Sequence, residues 1–372
     1  MKKTKLLFII WTYSMGGGAE KILHQLVNAL DPQRYNIDIL EVEHFDKPIR
    51  ESAPHIRVLA PIFRGSWSIR ERLLRKIQMI CPLWLRNRRT REVYDYEIAF
   101  NYMIPTFYLH PKRKTIVWMH GSIEHLLKDT AARRLQERQF PKIREFVAIA
   151  GKTRDSMEAV FPQLHGRIRL IYNGYNMAEV RRKAEEETTM EPDSLCYIGR
   201  LEVAKGVMEL VELYASLRSR GLRQKLYLIG SGDQEQELKD KIKSLGLEQA
   251  VILTGYQANP YSYIRKASFV VSCSHAEGFP TIYVEGLILG VGFVSTVVGG
   301  VDELADGGRC GYYGSPAEME RYLWQELQKP RSERLISAAA CKQFVSRFSL
   351  DHQVEALEDL LHRMDEPTNR QQ

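Results

Sequence analysis

Two glutamates separated by seven residues, Glu277 and Glu285, flank the run Gly278-Phe279-Pro280-Thr281-Ile282-Tyr283-Val284. Each carboxylate can accept two hydrogen bonds from vicinal hydroxyls, so a pair presented to one crevice suits a sugar or a ribose. The backbone N–H groups of Gly278, Phe279 and Thr281, at the start of a helix, suit a phosphate. The plainer reading is one exposed glutamate and one on a helix surface. It fits poorly, because Glu285 is set in an otherwise apolar run.

A second group is Gly199-Arg200-Leu201-Glu202-Val203-Ala204-Lys205-Gly206. Arg200 offers a planar fork for phosphate oxygens and Lys205 a mobile point charge. Across a glycine-flanked loop the two can converge on one diphosphate. Alone, such a pair would be read as solvated surface charge. A third group, Ser14-Met15-Gly16-Gly17-Gly18-Ala19-Glu20-Lys21, turns a strand into a helix. Its glycines either let backbone N–H groups approach an anion or serve a tight turn alone. The spacing is not G-x-G-x-x-G, so the dinucleotide fingerprint is absent. No two aspartates lie two residues apart, so the Asp-x-Asp pair that binds a divalent ion on a diphosphate is missing as well. Arg200 and Lys205 can neutralise a leaving diphosphate without a metal.

These groups need strands and helices to carry them. Apolar runs recur at 6–12, 36–42, 56–60, 97–102, 115–120, 146–150 and 168–173, then at 194–199, 225–229, 251–254, 269–272 and 293–296. Nearly continuous apolar strands alternating with helical stretches predict parallel sheets covered on both faces, twice over. In such sheets ligands bind beyond the carboxyl ends of the strands, where all three groups fall. The expected boundary is the turn dipeptide Asn173-Gly174, giving domains 1–174 and 175–346. In 347–372, Val354, Leu357, Leu360 and Leu361 recur at helical spacing behind the N-cap Ser349. This closing helix is expected to pack back on the first domain.

Composition narrows the class. With 372 residues, 44% hydrophobic and 27% charged, the chain suits two soluble domains. A net charge of +7 points to anionic partners. Five scattered cysteines without C-x-x-C argue against a disulfide framework or a zinc site, and a cytosolic protein is expected. The lysine-led run LLFIIW resembles a signal peptide but is short and lacks a cleavage site, so a buried first strand is expected. Residues 282–301 are nearly uncharged, yet they hold Glu285 and divide into a short helix and a strand rather than a membrane span. Between Arg64 and Arg91 nine basic residues, Arg86, Arg88 and Arg89 among them, face one acid, Glu71. Trp67, Ile69, Leu73, Leu74, Ile77, Ile80, Trp84 and Leu85 are interleaved. The segment reads as an anionic-membrane-surface element, or equally as a solvated basic face packed by its apolar side. No nucleic-acid module is recognisable.

Together the motifs resemble the retaining GT-B glycosyltransferases of family 4, the glycogen-synthase-like group, of the bacterial surface-polysaccharide type. Glu277 and Glu285 match the family's E-x7-E pair, and SHAEGFPTIYVEGLILGVGFVSTVVGGVDE follows the surrounding pattern. GRLEVAKG, SMGGGAEK, Tyr172-Asn173-Gly174, Trp118-Met119-His120-Gly121 and Thr254-Gly255-Tyr256 match further pieces along the whole chain. The resemblance implies two doubly wound Rossmann-like α/β domains facing across a cleft. It implies that Glu285 holds ribose, Glu277 and His120 face the donor sugar, and Arg200 and Lys205 grip the diphosphate. Gly17 and Gly18 would approach the donor through backbone, and Tyr256 would lie beside the base. The donor would be a nucleotide-sugar, UDP-linked by preference, and the acceptor a glycan or lipid-linked glycan. No cofactor, metal or nucleic acid is implied, and the site would be cytoplasmic or peripheral on the inner face of the membrane. A catalytically idle sugar-nucleotide-binding protein of the same fold is the alternative. Two positions depart from the pattern: Phe293 replaces the usual proline and Gly286 the usual alanine.

Overall fold

The apolar run behind Lys3 and Lys5 folds as the central strand of a sheet, β1 (Thr4–Ile10), buried from Leu6 onward. The computed structural model describes residues 3–14, 18–45, 52–65, 68–101, 103–121, 123–275 and 277–366; of Ile69, Arg70, Met79 and His125 it describes the backbone alone. Gly17 and Trp67 therefore lie outside the described residues. The chain divides into two units, Met1–Tyr175 with Phe348–Gln372, and Asn176–Arg347.

In the first unit β1 is joined by β2 (Tyr35–Glu41), β3 (Ile56–Val58), β4 (Tyr96–Phe100), β5 (Lys114–Met119), β6 (Glu145–Ala148) and β7 (Ile168–Leu170). The sheet is parallel, in the order β3-β2-β1-β4-β5-β6-β7. Leu7, Ile9, Leu40, Val117 and Phe146 stand in its core. In the second unit β8 (Ser194–Ile198), β9 (Leu226–Ile229), β10 (Val251–Gly255), β11 (Ala267–Ser272), β12 (Phe293–Ser295) and β13 (Gly311–Tyr313) form a parallel sheet ordered β10-β9-β8-β11-β12-β13. Both sheets are doubly wound. The strand order reverses between β1 and β4 and again between β8 and β11, the switch points where such sheets bind ligands.

Each apolar run read from the sequence is a strand. β13 was not expected: three residues opened by a glycine carry too little apolar signal. Gly311 is there for packing, since a Cβ would come within 2.2 Å of the Phe293 ring.

The closing helix Leu350–Asp365 is capped by Ser349, whose side chain accepts from the His352 N–H. Leu357, Leu360 and Leu361 are buried as the spacing requires. The helix packs on the helix Gly18–Ala29, accepts from the Tyr96 hydroxyl at the Leu361 carbonyl (2.9 Å) and pairs Glu358 with Arg34 (2.8 Å).

The basic segment departs from expectation. It forms the helices Ile69–Ile80 and Pro82–Asn87, and Arg86 is not a surface charge. Its guanidinium is buried, 2.6 Å from the fully buried Glu97 carboxylate, and donates to the Tyr108 carbonyl. Arg75 likewise turns inward to Glu43 (2.6 Å), and Arg89 donates to the Ile62 carbonyl (3.0 Å). The apolar residues also divide. Leu74, Ile77 and Leu85 pack against the core, whereas Leu73, Ile80 and Trp84 are exposed beside Arg72, Lys76 and Arg88. Among the described residues no helix is long and apolar enough to cross a membrane.

Candidate active site

Strands β8 and β11 are hydrogen-bonded neighbours, so the loops leaving their carboxyl ends meet. After β8 the Tyr197 hydroxyl donates to the Arg200 carbonyl at 2.8 Å, fixing the turn. A short 3-10 turn, Val203–Lys205, leads to Gly206, whose left-handed backbone (φ 58°) opens the helix Val207–Ser219. A Cβ there would stand 2.1 Å from the Cys273 carbonyl oxygen, so glycine is what lets the two loops touch. The His275 N–H donates to the Ala204 carbonyl and ties them together.

This contact brings Lys205 and Glu277 together, Nζ to Oε1 at 2.7 Å, with both side chains about four-fifths buried (22% and 21% exposed). The same oxygen accepts from the Ser274 hydroxyl at 3.0 Å, and Ser274 Oγ lies 2.9 Å from Ser272 Oγ. A third loop, after β12, closes against the second. Thr296 donates through its hydroxyl to the Ser274 carbonyl, and a Cβ on Gly299 would come within 2.3 Å of the Glu277 carbonyl oxygen. The Gly299-Gly300 pair is thereby explained as a close approach of backbone to backbone.

Arg200 does not share this pairing. It is 73% exposed and takes Glu202 at 2.8 Å. Gly278 and Phe279 lead to Pro280, the N-cap of the helix Thr281–Ile288, and no side chain caps that end. Its first N–H groups have no partners within the helix. Glu285 sits one turn in, 4% exposed, and accepts from the Tyr261 hydroxyl at 3.1 Å. The two glutamates thus take different partners, joined by the stretch Gly278–Thr281. Tyr256 follows β10 and is largely exposed.

Both departures from the family pattern have packing reasons. Phe293 stacks on Tyr283 at 4.4 Å and 8°, while Tyr283 donates to Ser295 Oγ at 2.7 Å. At Gly286 a Cβ would stand 2.9 Å from the Val291 carbonyl oxygen, too close for the usual alanine without movement. Ser274 and Tyr261, which donate to the carboxylates, and Ser272 behind Ser274 were given no site role in the sequence. Only the position of Ser274, three residues before Glu277, could have pointed to one of them.

In the first unit His120 follows β5, its ring 4.2 Å from that of Phe100. Nε2 is buried without a hydrogen-bond partner, and burial pulls the imidazole pKa down to about 3. Burial thus favours the neutral ring. Gly18 begins the helix Gly18–Ala29. After β4, Asn101 and Met103 both have positive φ (62° and 80°), conformations costly for residues with a Cβ. Among the described residues no group of three His, Cys, Asp or Glu is placed to hold a metal ion.

Comparison with known proteins fits these units. The family described as "Glycosyltransferase Family 4" matches residues 16–179, and that described as "Glycosyl transferases group 1" matches residues 178–339. The N-acetylgalactosamine-N,N'-diacetylbacillosaminyl-diphospho-undecaprenol 4-alpha-N-acetylgalactosaminyltransferase of Campylobacter jejuni is 32% identical over 127 residues, 34% of either chain. The chain matches between 30% and 50% of the length of the curated relatives. Among solved structures, Anabaena Alr3699/HepE in complex with UDP superposes with a TM-score of 0.72 at 17% identity, over 97% of this chain and 100% of that one. The lipopolysaccharide outer core galactosyltransferase WaaB superposes with a TM-score of 0.74 at 19% identity, over 97% and 99%. At such identities the likeness is one of fold, the GT-B arrangement of two Rossmann-like domains. Matched along residues 16–339 by these two families, the chain belongs to the GT-B glycosyltransferases of family 4.

Proposed function

We propose that the protein transfers a sugar, with retention and without a metal, from a nucleotide-diphosphate donor to a glycan or lipid-linked glycan of a cell-surface polysaccharide. The observation that carries this reading is the Lys205–Glu277 pair, set at a switch point beside the uncapped start of the helix Thr281–Ile288. As the bond from the anomeric carbon to the diphosphate breaks, negative charge grows on the leaving oxygen. Lys205 and Arg200 supply the compensating charge, so no divalent ion is called for. Entry of the diphosphate draws Lys205 away from Glu277, whose carboxylate then accepts from hydroxyls of the donor sugar. Glu285 and Tyr261 hold the ribose, and Tyr256 lies against the base. Gly17, Gly18 and His120 are the first-unit residues that this reading assigns to the donor.

A UDP-sugar is the favoured donor, in keeping with the UDP bound by HepE. The Campylobacter relative's name describes an alpha linkage formed on an undecaprenol-diphosphate-linked sugar, which supports both retention and a lipid-linked acceptor. The exposed Leu73, Ile80 and Trp84 with Arg72, Lys76 and Arg88 supply a surface that suits an anionic inner leaflet.

The test is donor hydrolysis and transfer across UDP-, GDP- and ADP-sugars, with and without EDTA. Turnover is expected with one uridine donor and should survive the chelator. Loss in EDTA with rescue by manganese would overturn the metal-free step. Arg200→Ala and Lys205→Ala should each lower kcat by roughly 10²–10³. Near wild-type turnover in both would remove their role.

A further inference from the structure

Glu41 closes β2 and is 1% exposed. In a dinucleotide-binding Rossmann unit, an acid about 20 residues past the glycine turn reaches out to ribose hydroxyls. Glu41 stands at the comparable place but faces inward. Its Oε1 accepts from the backbone N–H groups of Tyr13 and Ser14, both at 2.7 Å, and from the hydroxyls of Ser14 (2.6 Å) and Thr12 (3.3 Å). Its Oε2 lies 2.8 Å from His44 Nδ1. Ser14 Oγ in turn accepts from the Phe45 N–H at 2.9 Å, and the Tyr13 hydroxyl is hydrogen-bonded to His24 Nδ1 at 3.0 Å, on the helix Gly18–Ala29.

One buried carboxylate thus grips the chain at Tyr13 and Ser14, and through Tyr13 also reaches the helix that starts at Gly18. The Tyr13 and Ser14 N–H groups, which a phosphate-binding turn would aim at its ligand, are already taken. A buried charge so fully hydrogen-bonded rigidifies what it touches. The geometry points to Glu41 as a positioning residue that fixes the start of the helix Gly18–Ala29, the stretch of the first unit that the proposed function assigns to the donor. This inference rests on the glycosyl-transfer reading above for its kinetic consequence, though not for its structural one.

The test compares Glu41→Ala, Glu41→Gln and Ser14→Ala with the wild type by amide hydrogen exchange, kcat and nucleoside-diphosphate affinity. In Glu41→Ala, exchange at Tyr13 and Ser14 should rise roughly 10–100-fold, the effect of losing hydrogen bonds to a charged group, while β5 stays protected. Turnover should fall about 10²-fold, as for a small misplacement of a reacting partner. Nucleoside-diphosphate affinity should hold within about twofold, since the second unit supplies that site. Glu41→Gln keeps an oxygen for the two N–H groups and should recover most of both losses. Unchanged exchange at Tyr13 and Ser14 in Glu41→Ala overturns the proposal, as does raised exchange with unchanged kcat. If Glu41→Ala loosens the whole first unit, Ser14→Ala decides. Faster exchange at Phe45 with kcat lowered about tenfold supports the role, and wild-type kcat overturns it. Should the wild type turn over no nucleotide-sugar at all, the transfer reading fails, and the exchange arm alone decides the clamp.

Discussion

Lys205 and Glu277 present a cation and an anion 2.7 Å apart, and on the proposed reading a bound donor takes over both. Glu285 has a separate partner in Tyr261, so the two carboxylates should fail differently. Glu285→Ala should weaken nucleoside diphosphate and intact donor alike by roughly ten- to hundredfold, since a charged hydrogen bond contributes about 1.5–3 kcal/mol. Glu277→Ala should impair transfer and leave nucleoside-diphosphate affinity nearly unchanged. Calorimetry giving the reverse pattern would mean the two assignments are exchanged. His120 yields a prediction in pH. Burial lowers its folded pKa to about 3, below the usual value near 6.5, so across that interval the unfolded chain binds the extra proton. Stability contributed by the neutral ring is therefore present above about pH 6.5 and is lost as pH falls toward 3. His120→Phe should lose denaturant resistance less steeply than wild type between these limits, and equal slopes would contradict the burial. The nearness of Lys205 and Glu277 was partly legible in sequence, since both follow buried strands, whereas Arg200 stands apart, exposed and beside Glu202. Ser274, Tyr261 and Glu41 were not legible. A hydroxyl or an acid becomes informative only when strand adjacency shows what it faces.

Strands were the most legible elements. A parallel strand covered on both faces reads as an unbroken apolar run, and every such run proved to be a strand. β13 escaped because three residues hold no period. Helix faces were less legible. The count of basic residues between Arg64 and Arg91 says nothing of which arginines point inward, and Arg86 finds Glu97 only because β4 passes behind its helix. A triple reversal that includes Arg86 would therefore test folding rather than binding, since breaking a buried pair costs about 3–5 kcal/mol. Reversing Arg72, Lys76 and Arg88 to glutamate confines the change to the exposed face, where Ile80 is 83% accessible. That variant should fold normally yet leave anionic vesicles, because each basic side chain near such a surface contributes about 1 kcal/mol. Wild-type binding should also weaken with salt, the attraction being screened beyond about 8 Å. Equal flotation of wild type and variant, or of neutral and anionic vesicles, would make this an ordinary solvated face.

The first unit is built from two stretches of chain, and its last helix is integral to it. The chain leaves at Tyr175 and returns at Phe348, where the Tyr175 N–H donates to the Phe348 carbonyl (2.9 Å) and the Leu350 N–H to the Tyr175 carbonyl (3.1 Å). Truncation after Arg347 would uncover the Gly18–Ala29 helix and strip Tyr96 and Arg34 of their partners. The first unit should then unfold or become protease-sensitive, while Asn176–Arg347 keeps a cooperative thermal transition. A truncated chain whose first unit melts as in the wild type would contradict this. Such an arrangement also orders events on the ribosome. Synthesis commonly lets an amino-terminal domain fold first, at about 5–20 residues per second. Here the amino-terminal sheet must wait roughly 10–30 s while the ~170 residues of the inserted unit emerge, because only then does its missing helix arrive. During that interval the apolar run Leu6–Ile10 of β1 lacks its finished core, and a nascent-chain holdase would find its natural substrate there.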